Sequence, residues 1–151
     1  MSWASALDVD HTECVAWRDA ALWHDALRDA PEAELRELAP HLDYPVEVLH
    51  GPAAAARLEQ EGETRRDVLD AIRWHTIGFA GWERTGRALY LADFLEPGRS
   101  FARSDRAFLA AHVVSDFDDV LRQVVRQRLI WSIGEGNQLF PETVALWNSV
   151  R

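Results

Sequence analysis

The sequence contains no lysine, and all of its 16 basic residues are arginine. Any chemistry that starts from a lysine Schiff base is therefore excluded. The single cysteine, Cys14, excludes an internal disulfide and favours a reducing compartment. No apolar run approaches the roughly 20 residues that a membrane span requires, and the first residues lack the basic start and apolar stretch of a signal peptide. These absences predict a cytoplasmic protein with no membrane partner.

Positive charge is also scarce, since the formal net charge is −9. This balance argues against a nucleic acid as partner, because binding to a phosphate backbone depends on an excess of positive side chains. A small phosphorylated ligand is not excluded, since it needs only a local cluster of cations. The length of 151 residues suits one domain with its own core. We therefore predict a single domain over residues 1–151.

Apolar residues recur at helical spacing through almost the entire chain, whereas no two segments alternate apolar and polar residues as exposed strands do. The pattern predicts an all-α fold. The predicted helices cover residues 14–30, 32–39, 51–61, 65–75, 84–95, 104–112, 116–134 and 141–150. Pro52 is expected at a first helical position, and Thr64 with Asp67 resembles a capping box. Ser104 is expected to cap its helix, as is Ser115 or Asp116.

Side chains that can bind metals interrupt otherwise apolar helical segments at His24-Asp25, His75 and Asp93. A carboxylate in such a setting is costly to bury unless it is paired, hydrogen-bonded or bound to a metal. For Asp93 two interpretations stay open, namely a metal ligand and an ion pair with an arginine such as Arg73 or Arg99.

His50 adds a further imidazole, directly before Gly51-Pro52, where we expect a helix N-terminus. A single histidine of this kind is more often a hydrogen-bonded structural residue than a ligand. The whole set is more informative, because its mixture of imidazole and carboxylate suits iron, manganese or zinc better than magnesium or calcium. Two such ions can activate water and hold a phosphoryl group between them.

The His24-Asp25 doublet resembles the one that names the HD superfamily of phosphohydrolases. Later stretches resemble, in order and approximate spacing, the motifs of the bacterial YqeK family: Leu49–Pro52, Trp74–Gly78, Tyr90–Arg99 and Gly136–Thr143. The likeness extends from about Ala6 to the C-terminus. It implies a single helical HD-type domain that hydrolyses phosphoanhydride bonds in nucleotides. The substrate implied is diadenosine tetraphosphate, cleaved symmetrically into two ADP.

The resemblance also implies two divalent metal ions, usually iron, with manganese or zinc as alternatives. The ligands implied are His24, Asp25 and Asp93 for one ion, and Asp25, His50 and His75 for the other. Asp25 and Asp93 are further expected to act in catalysis together with Thr76. Arg28 and Arg99 are expected to contact the phosphates of the nucleotide.

One part of the family pattern is missing, since family members carry another histidine on a first helix upstream of the doublet. We expect that helix to be truncated here, with Trp3–Leu7 as its remnant, and the ion next to His50 and His75 to bind more fully. Two alternatives to the leading hypothesis stay open. The first is another HD-superfamily nucleotide phosphohydrolase or nucleotidase, and the second is a non-catalytic nucleotide- or partner-binding domain with a degenerate metal site. A homodimer is an open alternative to a monomer.

Overall fold

The computed structural model describes residues 2–151, and within that range the chain forms helices without strands. The helices are α1 (Trp3–Ala6), α2 (His11–Trp23), α3 (Glu32–Leu38), α4 (Val46–Gln60), α5 (Arg66–Trp74), α6 (Arg84–Leu95), α7 (Arg103–His112), α8 (Phe117–Gly134) and α9 (Pro141–Val150). The predicted all-α fold is confirmed. None of these helices combines the length and the apolar character needed to cross a membrane.

Helix α2 ends at Trp23, although the sequence pattern predicted a helix through Ala30. The next residues form successive tight turns, in which the N–H groups of Ala26, Arg28 and Ala30 each donate to a carbonyl three residues earlier. The apolar residue Leu27 is still buried in the core beneath these turns. The His24-Asp25 doublet therefore lies at the start of a turn rather than inside a helix.

Helix α4 begins at Val46, five residues before the predicted start, so that Pro52 lies inside the helix. An internal proline removes one backbone hydrogen bond. Val48 and Leu49 are buried in the extra turn, and this burial offsets that cost. The prediction that His50 stands at a helix N-terminus is wrong, because His50 lies in the second turn of α4.

The predicted capping box at the start of α5 is also absent. No side chain caps α5, and Glu63 instead orders the turn before it, since its Oε1 accepts from the N–H groups of Thr64 and Arg65, both at 2.9 Å. Asp67 is not free to cap, because it accepts a hydrogen bond of 2.9 Å from the Thr85 hydroxyl of α6. The carboxylates at this turn thus hold α5 to its neighbours.

The cap predicted for α7 is wrong, whereas the cap predicted for α8 is correct. Helix α7 begins at Arg103 after Ala102, which has a left-handed backbone with φ of 41°, and Ser104 does not cap it. Helix α8 has the predicted cap, because Asp116 accepts from the N–H of Asp119. The bounds of α6 and α9 are those predicted.

The buried side chains form two large clusters. The first joins α2 to α5, with one residue from α6, and half of its buried members are alanine. The second joins α6 to α9 and contains larger residues such as Trp82, Tyr90 and Phe94. A small third cluster of Val48, Ile77 and Phe140 lies between α4 and the stretch Gly136–Thr143, called the C-terminal motif below. The candidate ligand residues on α4 and at the end of α5 are close to this third cluster in sequence.

Candidate metal centre

Three separate elements bring their polar side chains to one carboxylate, that of Asp25 in the turn after α2. The Nε2 atom of His50, from α4, lies 3.2 Å from Asp25 Oδ1, and the Nε2 atom of His75, at the end of α5, lies 3.4 Å from it. The Nε2 atom of His24 lies 3.5 Å from the other oxygen, Oδ2. The structure thus places four of the five predicted ligands together.

The three histidines share one orientation, because each Nδ1 lies within hydrogen-bond distance of a backbone carbonyl three residues earlier. The accepting carbonyls are Ala21 for His24 (2.8 Å), Glu47 for His50 (3.1 Å) and Ile72 for His75 (2.7 Å). A carbonyl only accepts, so each Nδ1 carries the proton and each Nε2 has a free lone pair in the neutral ring. Such outer contacts commonly orient histidine ligands around a metal.

This arrangement fits a cation. With both Nδ1 atoms protonated, the Nε2 atoms of His50 and His75 face each other at 3.0 Å with no proton between them in the neutral rings. Two lone pairs at that distance repel each other, and a shared positive ion would remove the repulsion. Donor atoms of His24, Asp25 and His75 also all lie within 4.8 Å of one another. A divalent ion suited to imidazole and carboxylate therefore fits these residues.

The electrostatics of the cluster agree with that interpretation. When its ring is also protonated at Nε2, His75 donates a hydrogen bond to the carboxylate, and this bond is the largest cause that holds the pKa of Asp25 well below its usual range, against the opposing effect of burial. Burial lowers the pKa of His50, positive charge on His75 lowers it further, and the Asp25 carboxylate opposes both. Asp25 is therefore ionised and His50 neutral near pH 7, which are the forms that bind metals.

A glycine allows the two inner histidines to meet. If Gly51 carried a Cβ atom, it would lie 2.8 Å from the Ile72 carbonyl oxygen, 3.0 Å from that of Arg73 and 3.1 Å from Nδ1 of His75. Contacts below 3.0 Å are incompatible with an unshifted backbone. Gly51 therefore sets the close approach of α4 to the end of α5, and with it the position of His50 relative to His75.

Asp93 is the predicted ligand that the structure does not bring to the other four. Its Oδ1 forms an ion pair of 2.6 Å with Nη2 of Arg99, and among the described residues no histidine nitrogen lies within 4.0 Å of its carboxylate. The ion-pair interpretation of Asp93 is thus the one seen here. Its role as a metal ligand stays a prediction.

The other predicted site residues lie at the edge of the cluster. Arg28 places Nη1 3.2 Å from Asp25 Oδ2, although two thirds of its side chain is exposed. The hydroxyl of Thr76 lies 3.4 Å from Nε2 of His75. Arg99 is held by Asp93. The guanidinium of Arg28 therefore contacts the Asp25 carboxylate, and that of Arg99 contacts the Asp93 carboxylate.

Arg128 on α8 was missed by the sequence analysis. Its Nη2 donates to the Thr76 carbonyl at 2.9 Å, and its guanidinium lies over the ring of Tyr90, 4.5 Å from the ring centre. A signal was present, because position 128 follows the buried Val124 and Val125 by four and three residues and so falls on the buried face of α8. An arginine on that face has a structural or binding role rather than a purely solvating one.

The chain was compared with known proteins. No family model matches it. It is 30% identical over 137 residues to the symmetrical bis(5′-nucleosyl)-tetraphosphatase of Bacillus subtilis. The alignment covers 85% of this chain and 73% of that protein. The enzyme of the same name from Staphylococcus aureus is 30% identical over 108 residues, covering 71% of this chain and 56% of that protein. The one from Halalkalibacterium halodurans is 27% identical over 139 residues, with coverages of 87% and 73%.

A solved structure supports the same assignment. An HD superfamily hydrolase from Clostridium acetobutylicum, described as involved in NAD metabolism, superposes with a TM-score of 0.82 and 25% identity, covering 98% of this chain and 80% of that one. The resemblance drawn from the sequence motifs is therefore confirmed. The chain belongs to the family of symmetrical bis(5′-nucleosyl)-tetraphosphatases, phosphohydrolases with the HD fold that depend on metal ions.

Proposed function

We propose that this protein cleaves a bis(5′-nucleosyl) tetraphosphate symmetrically, with diadenosine tetraphosphate as substrate and two ADP as products. The observation that carries the proposal is the convergence of three histidine Nε2 atoms on the Asp25 carboxylate, each within 3.5 Å of one of its oxygens. Its relatives are named for this reaction. A small nucleotide is also the kind of partner that the acidic composition permits.

The metal would be held by His24, Asp25, His50 and His75. Bound there, divalent ions supply a Lewis acid and lower the pKa of a coordinated water. We further propose that two ions bind, that Asp25 is shared between them, and that iron is the native metal, with manganese or zinc able to replace it. Asp93 would complete the ligands of the ion next to His24, which requires that it exchange its partner Arg99 for the metal.

The residues around the cluster supply positive charge for the phosphate chain. Arg28 lies beside the shared carboxylate, and Arg99 lies beside Asp93. Guanidinium groups bind phosphate oxygens with two parallel hydrogen bonds. Because arginine stays protonated near neutral pH, these residues orient the substrate and stabilise charge that develops on it, but they do not donate a proton. Thr76, next to His75, is proposed to contact a phosphate through its hydroxyl.

Product analysis tests this proposal. The purified protein would be loaded with ferrous iron, manganese or zinc and incubated with diadenosine tetraphosphate, and the nucleotides would be separated by chromatography. We expect ADP as the only nucleotide product with at least one of the metals. Equal amounts of ATP and AMP would contradict symmetrical cleavage. No hydrolysis with any of the metals would contradict the enzymatic proposal and favour a domain that binds nucleotides without cleaving them.

A further inference from the structure

Two cavities of nearly equal size share a wall formed by α8. The first, of about 470 Å³, lies between α4, α8 and the C-terminal motif and includes Thr76 and Glu47 in its wall. The second, of about 460 Å³, lies between the end of α6, the following loop and α8, and includes Arg99. Each volume is within the usual range for small-molecule sites. Arg128 and Trp131 belong to the walls of both cavities.

The first cavity lies next to the histidine cluster, and the second lies next to Asp93. In the first, Thr76 follows His75 directly, and the carbonyl of Glu47 accepts the Nδ1 hydrogen bond of His50. In the second, Arg99 is the partner of Asp93. The cluster described above and the Asp93 carboxylate thus each have a cavity next to them.

The walls have the chemistry that nucleosides require. Exposed aromatic side chains line the second cavity, namely Phe101, 46% exposed, and Trp131, 63% exposed. Aromatic rings of this kind stack with bases irrespective of base type. The first cavity combines the apolar side chain of Phe140 with Asn137 and Gln138, whose amide groups form no hydrogen bond within residues 2–151. Amide groups can pair with the edge of a base.

Arg128 stands where the two cavities meet, and its charge has no carboxylate partner. The ion pairs of residues 2–151 do not include it, whereas neighbouring Arg99 and Arg122 are both paired. It is held instead by the Thr76 carbonyl and by the faces of Tyr90 and Phe94. A fixed guanidinium without a counterion is suited to bind phosphate.

We infer that the two cavities are subsites for the two nucleosides of one dinucleoside polyphosphate, and that Arg128 binds the phosphate chain where it passes between them. The inference rests on the proposed function, since it requires a substrate with a nucleoside at each end. Arg128 donates to the carbonyl of Thr76, and the Thr76 hydroxyl lies 3.4 Å from Nε2 of His75, so the middle of a chain bound by Arg128 would lie near the histidine cluster. Cleavage in the middle then leaves one nucleoside diphosphate in each subsite.

Counting bound product tests the inference. ADP is not consumed, so manganese-loaded protein can be titrated with it by calorimetry, and we expect two ADP per chain. Gln127→Trp fills the second cavity and should leave one ADP. Gln123→Trp is the matched control, because it makes the same change one turn earlier on α8, outside both cavities, and should leave two. Ser132→Trp fills the first cavity and should also leave one. Arg128→Gln should weaken ADP binding by at least about tenfold.

The outcome separates this inference from the proposed function. A wild-type protein that hydrolyses diadenosine tetraphosphate but binds one ADP would leave the function standing and overturn the two-subsite inference. Two ADP that persist in both Gln127→Trp and Ser132→Trp would also overturn it, because the cavities would then not be the binding sites. If the protein fails to hydrolyse the substrate, the proposed function falls, and the ADP count still decides the subsites. Circular dichroism of each variant shows whether it is folded.

Discussion

The two halves of the molecule are packed in different ways. In the cluster that joins α2 to α5, seven of the fourteen buried residues are alanine, whereas the cluster that joins α6 to α9 contains none. Small side chains allow helices to approach closely, as Gly51 allows α4 to touch the end of α5. Large side chains keep helices apart and leave cavities between them. The candidate metal centre lies in the first half, and most of the wall residues of both cavities come from the second.

The two halves supply different parts of the proposed site. Metal ligands have to meet within a few ångströms, and close backbone contact in the first half places three histidines around Asp25. A nucleotide needs volume, aromatic surface and positive charge, and the second half provides Trp131, Phe101 and Arg128. We therefore expect substitutions in the first half to change metal binding, and substitutions in the second to change nucleotide binding or the loops that support it.

The largest effect is expected for Asp25→Asn. The carboxylate contacts all three histidines, and an amide retains the shape but loses the charge that holds a divalent ion. We expect metal affinity to fall by more than about 100-fold, since loss of an outer contact alone costs about 10- to 100-fold. The measurement is metal content by emission spectroscopy after dialysis at a fixed free metal concentration.

The matched control for this change is Asp29→Asn, four residues later on an exposed position of the same turn segment. We expect it to retain the metal content of the wild type. If both variants lose metal equally, the loss reflects the general charge of the surface, and the cluster around Asp25 is not the metal site.

A second prediction concerns Arg106, which is 2% exposed and pairs with no carboxylate among the described residues. Its Nε donates to the Phe94 carbonyl at 2.9 Å, and its two Nη atoms donate to carbonyls of the loop between α6 and α7, at Glu96, Arg99 and Phe101. Arg106→Met leaves the buried Phe94 carbonyl and the three partly buried loop carbonyls without this donor. We expect a loss of about 3 kcal/mol in the free energy of unfolding, measured in urea.

Arg103→Met, on an exposed position one turn earlier in α7, is the control for Arg106. It should change stability by less than about 0.5 kcal/mol. Because the Arg106 loop carries Arg99 and Phe101, the Arg106 variant should also bind ADP more weakly at the second cavity. Equal destabilisation by both substitutions would show that the hydrogen bonds of Arg106 do not hold this half together.

The sequence predicted those parts of the fold whose signals are local. Helix α9 begins at Pro141, and α6 ends shortly before Pro97-Gly98. Both limits could be predicted because proline and glycine restrict or free the backbone directly. The end of α2 and the start of α4 were predicted wrongly, since they depend on which apolar residues the rest of the chain buries. The sequence shows that Leu27 and Val48 are apolar. It does not show that Leu27 packs from a turn and Val48 from a helix.

The same distinction applies to the site. His24, Asp25, His50 and His75 could be named because a ligand-type side chain in apolar sequence is a signal in itself. Their shared Nδ1 contacts with carbonyls three residues earlier could not, because those contacts depend on the side-chain rotamer. The cavities are set by the distance between packed helices, which no single stretch of sequence contains. Whether Asp93 leaves Arg99 for a metal stays a prediction for the same reason.

Gly51→Ala tests the close packing of the first half. Its new Cβ would overlap the Ile72 carbonyl, which is backbone and cannot rotate away, so α4 and α5 must separate slightly. We expect a loss of about 2 kcal/mol in stability, visible as a lower melting temperature, together with weaker metal binding because His50 and His75 move apart. Gly134→Ala, at the end of α8 with open space around the new Cβ, is the matched control. It should leave metal binding unchanged and stabilise the protein by up to about 1 kcal/mol.

The smallest effect is expected for Glu63→Gln, at the turn before α5. Hydrogen bonding to Arg65 is the main cause that lowers the pKa of Glu63 from 4.5 to about 2, and Arg65 in turn reaches Asp19 of α2 at 2.9 Å. A carboxylate whose pKa is lowered on folding stabilises the folded state above its unfolded pKa, and this contribution is lost as the pH falls through the folded pKa. We therefore expect Glu63→Gln to cost about 1 kcal/mol at pH 7, and the difference from the wild type to shrink between about pH 4.5 and pH 2. Urea unfolding at pH 7, 5, 4 and 3 measures this difference.

Glu61→Gln is the control, at an exposed position that forms no ion pair among residues 2–151, and it should stay within about 0.5 kcal/mol of the wild type at every pH. A cost for Glu63→Gln that is the same at pH 7 and pH 3 would mean that the amide disturbs packing, and that the charge of Glu63 does not tie α2 to α5.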